Sequence, residues 1–158
     1  VSIMSHTGER RFLVGRPSAI KSLLGSGAPR SEDEAAERVV NIMAELGSPR
    51  YPTDPERYRE MGRLAYRRDS DPTGFGRQLG AILASGSRAK ELAVLSTPTL
   101  VIHGEEDKLI PITAGRRTAK LIPGAELWEV PGMGHDLPAQ LWTALTERIG
   151  AFARGIVA

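Results

Sequence analysis

Apolar positions along the 158-residue chain change their spacing near residue 97, and the change separates two kinds of structure. Before it, Val1–Ser5 is a short apolar run that reads as a strand, closed by His6-Thr7-Gly8. Residues 9–30, rich in Arg, Gly and Pro, read as loop with one helical turn around Ala19–Leu24. Three helices follow. Ser31-Glu32-Asp33-Glu34 has capping-box spacing, with acids where the helix dipole favours them. Ala36, Val39, Val40 and Met43 then recur at helical spacing until Gly47. Beyond the loop 48–52, Asp54-Pro55-Glu56 offers an N-cap, a first-position proline and a first-turn acid, ahead of Tyr58, Met61 and Ala65 on one face. Asp71-Pro72 repeats the start signal before an apolar stripe of Phe75, Leu79, Ile82 and Leu83.

From Thr97 to Gly104 the apolar run is continuous, as in a parallel strand covered by helices on both faces. A helix over Ile112–Ile122 is closed by Pro123-Gly124. Ala125–Val130 alternates, which places it nearer a sheet edge. Residues 131–136 form a loop, and Pro138 opens a last helix with Leu141, Leu145, Ile149 and Phe152 facing inward. The order predicts an α/β fold with a mostly parallel sheet. Residues 1–30 and 92–158 form its core, and residues 31–91 form a helical insertion.

Composition narrows the chemistry. There is no cysteine, so disulfides, thiolate metal sites and a Cys nucleophile are excluded for this chain. Three scattered histidines offer little for a multi-His metal centre, and no metal or organic cofactor is expected. Gly74-Phe75-Gly76 and Gly80 lack the preceding strand and spacing of a dinucleotide fingerprint. Twenty-one basic residues against 19 acidic ones leave a formal charge of +2, interleaved along the chain, which gives no support to nucleic-acid binding. No apolar run has the length of a membrane span and no secretory leader is visible, so a cytoplasmic setting without membrane partners is expected.

In open α/β sheets, reactive groups collect beyond the carboxyl ends of the strands. Two loops leave such ends here: Gly104–Pro111, with Asp107, and Pro131–His135. They lie one strand–helix–strand unit apart, which sets them side by side. A carboxylate beside an imidazole fixes its tautomer and stabilises the imidazolium, the orienting half of a nucleophile–base–acid triad. The plain alternatives are a turn-forming Asp, a solvated His, and a tight turn at Gly132 and Gly134. His103, on the strand itself, is expected to pack or bond locally.

The segment Thr97–Pro111 resembles the "PTLVIHGxxDxxxP" segment of α/β-hydrolase-fold enzymes, and Gly132-Met133-Gly134-His135 resembles their closing "GxGH". Ser2–Gly8 is similar to the strand that follows the family's nucleophile helix, and the helical insertion sits where the family has its cap. Arg77–Gly86 and Gly134–Pro138 resemble segments of polyketide (aclacinomycin-type) methylesterases and related carboxylesterases. The resemblance implies a partial α/β-hydrolase fold: the last strands of the sheet with a cap at 31–91. It implies Asp107 as triad acid, His135 as general base and a small ester-like substrate. Tyr51, Tyr58, Met61, Phe75 and Leu79 are candidates for an apolar roof over that substrate, or simply for cap core.

One part of the family pattern is missing. The chain contains no Gly-x-Ser-x-Gly elbow, and in the family's order the nucleophile precedes the acid and the His. A complete core at ~30 residues per strand–helix unit needs roughly 240 residues. The expectation is therefore the C-terminal part of a serine hydrolase, arising by truncation or cleavage. Its serine and oxyanion-hole amides would be supplied from upstream of Val1, in an N-terminal half on the same or a separate chain, and this chain alone would be inactive. The rival expectation is a non-catalytic remnant or binding domain that keeps the fold.

Overall fold

The computed structural model describes residues 1–12, 15–25 and 27–157; Leu13, Val14 and Ser26, within the stretch read as loop, and Ala158 lie outside the described residues. Three strands, β1 (Ser2–Ile3), β2 (Leu100–Gly104) and β3 (Glu126–Val130), form one parallel sheet in the order β1-β2-β3. The register pairs Ile3 with Ile102, and runs from Leu100 opposite Glu126 to Gly104 opposite Val130. Every residue of β2 is buried, the physical counterpart of its unbroken apolar run. Leu100 and Ile102 point to one face, where they meet Val130, Met133, Leu141 and Leu145, with Ile149 and Phe152 packed alongside. Helix α6 (Ile112–Leu121) connects β2 to β3 and packs on both. The chain ends in α7 (Trp142–Val157), entered through a 3-10 turn at Ala139–Leu141 rather than directly at Pro138.

Strand β1 is shorter than the run Val1–Ser5. Met4 takes φ +46°, a left-handed conformation that turns the chain off the sheet, although its amide still donates to Ile102 O at 2.9 Å. Helix α1 (Pro17–Leu24) is longer than the single turn expected there. Pro17 at its first position presets φ, and Ser18 Oγ donates to Glu45 at 2.6 Å, tying it to the next helix.

The helical block contains α2 (Glu32–Leu46), α3 (Pro55–Arg68), α4 (Gly74–Ser85) and the short α5 (Ala89–Ala93), the last without a sequence signal. Ser31 caps α2 by accepting Glu34 N at 3.1 Å, but the reciprocal bond shifts by one residue: Glu34 takes the Arg30 amide at 2.9 Å. Asp54 caps α3 by accepting Glu56 N, with Pro55 in first position. The inner face of α3 is centred on Gly62, beside half-buried Tyr58, and leaves Met61 outside it. Gly62 is the buried residue and Met61 is 48 % exposed. A Cβ at Gly62 would lie 2.5 Å from Ala35 O and 2.7 Å from Ala36 Cα, so the two helices touch backbone to backbone.

Helix α4 starts two residues beyond the Asp71-Pro72 signal. Asp71 is spent on a turn, accepting Thr73 N at 2.8 Å, and Thr73 takes the cap position. No residue of α4 is buried: Phe75, Leu79, Ile82 and Leu83 are all exposed. At its far end the block returns to the segment that follows β1, where Arg88 N donates to Thr7 O at 2.8 Å. None of the described helices is long and apolar enough to cross a membrane.

Candidate active site

The register of β2 and β3 sets the two loops beyond their carboxyl ends next to each other. Glu105 N donates to Val130 O at 3.1 Å, and Glu106 N donates to Met133 O at 3.0 Å. Asp107 sits in the first loop at 5 % exposure. Its Oδ1 accepts the amides of Leu109 (2.9 Å) and Ile110 (2.8 Å), which closes the loop around the carboxylate. Its Oδ2 lies 2.7 Å from His135 Nδ1. A buried carboxylate satisfied by two amides on one oxygen presents the other within hydrogen-bond distance of His135 Nδ1. That selects the Nδ1–H tautomer and leaves Nε2 with its lone pair, the form a general base needs. The His135 side chain remains 27 % exposed, so that lone pair belongs to a partly open imidazole.

A second imidazole shares the carboxylate. His103 is fully buried on β2, with Nε2 2.9 Å from Ile110 O and 3.6 Å from Asp107 Oδ2. A carbonyl only accepts, so Nε2 carries the proton. Nδ1 is then a buried lone pair with no hydrogen-bond partner among the described residues. His103 thus holds the same turn, Leu109–Ile110, that Asp107 holds, in keeping with the local role expected from the sequence.

The loop carrying His135 is fastened to the end of α2. His135 N donates to Leu46 O at 2.7 Å, and Gly134 N donates to Ser48 Oγ at 2.9 Å. Gly134 lies so close to the Leu46 and Gly47 carbonyls that a Cβ would overlap them. Ser48 Oγ donates onward to Asp136 Oδ1, and Tyr58 OH donates to Asp136 Oδ2 at 3.0 Å. Burial and the neighbouring Asp136 charge raise the Tyr58 phenol above its ordinary value, which keeps it a donor. Sequence spacing carried no trace of Ser48, which lies far from His135 in the chain. Asp136 carried one weak signal, its place next to His135.

The five roof candidates are not gathered into one pocket. Tyr51 packs against the core and donates its hydroxyl to Pro131 O at 3.2 Å. The Tyr58 hydroxyl is taken by Asp136. Met61, Phe75 and Leu79 are exposed. Of the five, Phe75 alone lines the cleft of about 450 Å³ between α1, α2, α3 and the start of α4, and neither Asp107 nor His135 reaches that cleft. Among the described residues, no three His, Cys, Asp or Glu side chains are grouped to hold a metal ion.

A family model described as the alpha/beta hydrolase fold matches residues 16–139. The chain is 43 % identical over 49 residues to a non-heme chloroperoxidase of Kitasatospora aureofaciens, covering 30 % of this chain and 18 % of that protein. It is 40 % identical over 68 residues to the rhodomycin D methylesterase DauP of Streptomyces sp. (strain C5), covering 43 % of this chain and 23 % of the relative. Among solved structures it is similar to a meta-cleavage product hydrolase from Pseudomonas fluorescens IP01, with TM-score 0.69 and 20 % identity, over 98 % of this chain and 54 % of that one. The chain therefore spans about half the length of that solved structure, and its aligned segments cover less than a quarter of the two curated relatives.

Proposed function

Because the chain belongs to the α/β-hydrolase-fold family, we propose that it supplies the acid and base of a serine hydrolase acting on a carboxylic ester or similar acyl group. The observation that carries this reading is the 2.7 Å contact between His135 Nδ1 and the buried Asp107 carboxylate. In the proposed reaction a serine from outside these residues attacks the carbonyl carbon. His135 Nε2 takes its proton and returns it to the leaving alkoxide. Asp107 stabilises the imidazolium in between. Water, deprotonated by His135, then attacks the acyl-enzyme; the acyl–oxygen bond to serine breaks, His135 returns the proton to the serine oxygen, and the acid leaves. The name of the methylesterase relative favours an ester over the other chemistries found among similar proteins.

In this reading residues 1–30 and 92–158 are the C-terminal part of the core and residues 31–91 are its cap. The partner is the N-terminal half of the same enzyme, which brings the nucleophile and the oxyanion donors. Tyr51, Tyr58, Met61, Phe75 and Leu79 remain the proposed substrate-side surface of the cap, with Met61, Phe75 and Leu79 offering the free apolar area. Ester hydrolysis is to be measured on this chain and on the reading frame extended upstream of Val1 through a Gly-x-Ser-x-Gly segment. The expected outcome is activity only in the extended protein, lost in His135→Ala and reduced about 10⁴-fold in Asp107→Asn. A folded, extended protein that stays inert refutes the proposal and favours the non-catalytic reading.

A further inference from the structure

We propose that Ser48, Asp136 and Tyr58 form a positioning clamp, through which the helical block at residues 31–91 sets the His135 imidazole against Asp107. The inference rests on the reading of Asp107 and His135 as acid and base of one site, and adds what holds and regulates their contact.

The His135 loop has little shape of its own. It contains Gly132 and Gly134, and Gly132 takes φ +75°. Backbone of this kind is easily redirected, so the aim of the imidazole has to be imposed from outside the loop. The sheet imposes part of it, through the contacts of Glu105 and Glu106 with Val130 and Met133. The helical block imposes the rest at three consecutive residues. Gly134 N is bonded by Ser48 Oγ and His135 N by Leu46 O, and the Asp136 carboxylate is bonded by the hydroxyls of Ser48 and Tyr58.

The chemistry of the clamp differs from that of a loose surface tether. Ser48 is 5 % exposed and uses its hydroxyl in both senses, accepting from Gly134 and donating to Asp136. Asp136 receives one hydroxyl donor on each carboxylate oxygen, and such charge-assisted bonds are the stronger kind. The two donors come from different parts of the block, one after α2 and one from the first turns of α3. Helices α2 and α3 are locked together at Gly62, so they move as one body. A shift of that body relative to the sheet therefore pulls directly on residues 134–136. Misplacement of a reacting group by about 1 Å costs on the order of 10²-fold in rate. The position of the block is thereby coupled to the base: seated, it holds the imidazole on Asp107; displaced, it releases it.

The test reads the ring-nitrogen tautomer of neutral His135 in the full ¹⁵N-labelled chain by NMR. The wild-type ring is expected mainly as Nδ1–H. Tyr58→Phe and Ser48→Ala are each expected to lower the ratio of Nδ1–H to Nε2–H by about tenfold, while the Leu100–Gly104 amide resonances stay in place. A ratio unchanged in both folded variants overturns the clamp. Tyr58→Phe, which keeps the ring and removes only the hydroxyl, decides the question if Ser48→Ala does not fold. Asp107→Asn separates the two readings. If it reverses the ratio while the clamp variants do not, the acid–base pair stands and the clamp falls. If it leaves the ratio unmoved, the pair and the clamp fall together.

Discussion

The buried imidazole of His103 and the buried carboxylate of Asp107 hold one short turn by complementary bonds, so a change of a single group there is felt. His103 donates to Ile110 O, while Asp107 accepts from Leu109 and Ile110. Replacing His103 with Phe keeps a ring of similar breadth but leaves the Ile110 carbonyl without its donor. A fully buried acceptor left unsatisfied costs about 1–3 kcal/mol; the Ile110 carbonyl is only part-buried, so urea unfolding of His103→Phe should register a loss toward the lower end of that range. The free Nδ1 offsets part of this, because that nitrogen is already unpaired and nothing is lost there. The larger effect is the orphaned carbonyl, so the sign remains destabilising.

At the scale of elements, α2 and α3 are joined by two kinds of contact whose weights differ. Arg59–Glu37, Arg63–Asp33 and Arg67–Glu32 bridge their outer edges. Exposed pairs of this kind contribute about 0–1 kcal/mol each. The backbone contact at Gly62 is less forgiving, since a methyl group there has to push the Ala35 carbonyl away. Gly62→Ala is expected to cost about 1–3 kcal/mol despite its better helix propensity, whereas Arg67→Ala costs less than about 1, both by thermal unfolding. Helix α4 depends on a different device. Hydrogen bonds from Thr73 and the Arg77 guanidinium lower the Asp71 carboxyl from 3.8 to about 2. A depressed folded-state value means that the stabilisation is complete above the ordinary carboxylate range and is lost as pH falls through about 2. Fraying of the first turn of α4, followed by Thr73 and Arg77 resonances, should therefore set in between about pH 4 and pH 2, and in Asp71→Asn this pH dependence should vanish.

Over the whole molecule, burial is uneven. The β2 strand and the residues it meets on β3, the following loop and α7 form an apolar core cluster, while α4 buries nothing among the described residues. Local opening needs little energy where few apolar contacts must be given up. Amide exchange should therefore show Val101 and Ile102 opening only with global unfolding, and residues 77–84 opening through local events at rates set by α4 alone. Equal protection in the two segments would contradict this division. The apolar stripe of α4 was legible from Phe75, Leu79, Ile82 and Leu83, but its exposure was not. Periodicity reports which face is apolar and is silent on whether anything covers it.

The sequence by itself determined the order of the three strands and the main helices, the continuous β2 run, the caps at Ser31 and Asp54, and the two loops bearing Asp107 and His135. Each of these rests on local physics: side-chain alternation, hydrogen bonds to nearby amides, and the short reach of a strand–helix–strand unit. Only the tertiary structure decided that Gly62 rather than Met61 faces α2, that Met4 ends β1, and that Ser48 and Tyr58 meet at Asp136. Those outcomes depend on groups brought together across dozens of residues. There a hydroxyl or a missing Cβ matters because of what another segment places against it, and no local spacing encodes that.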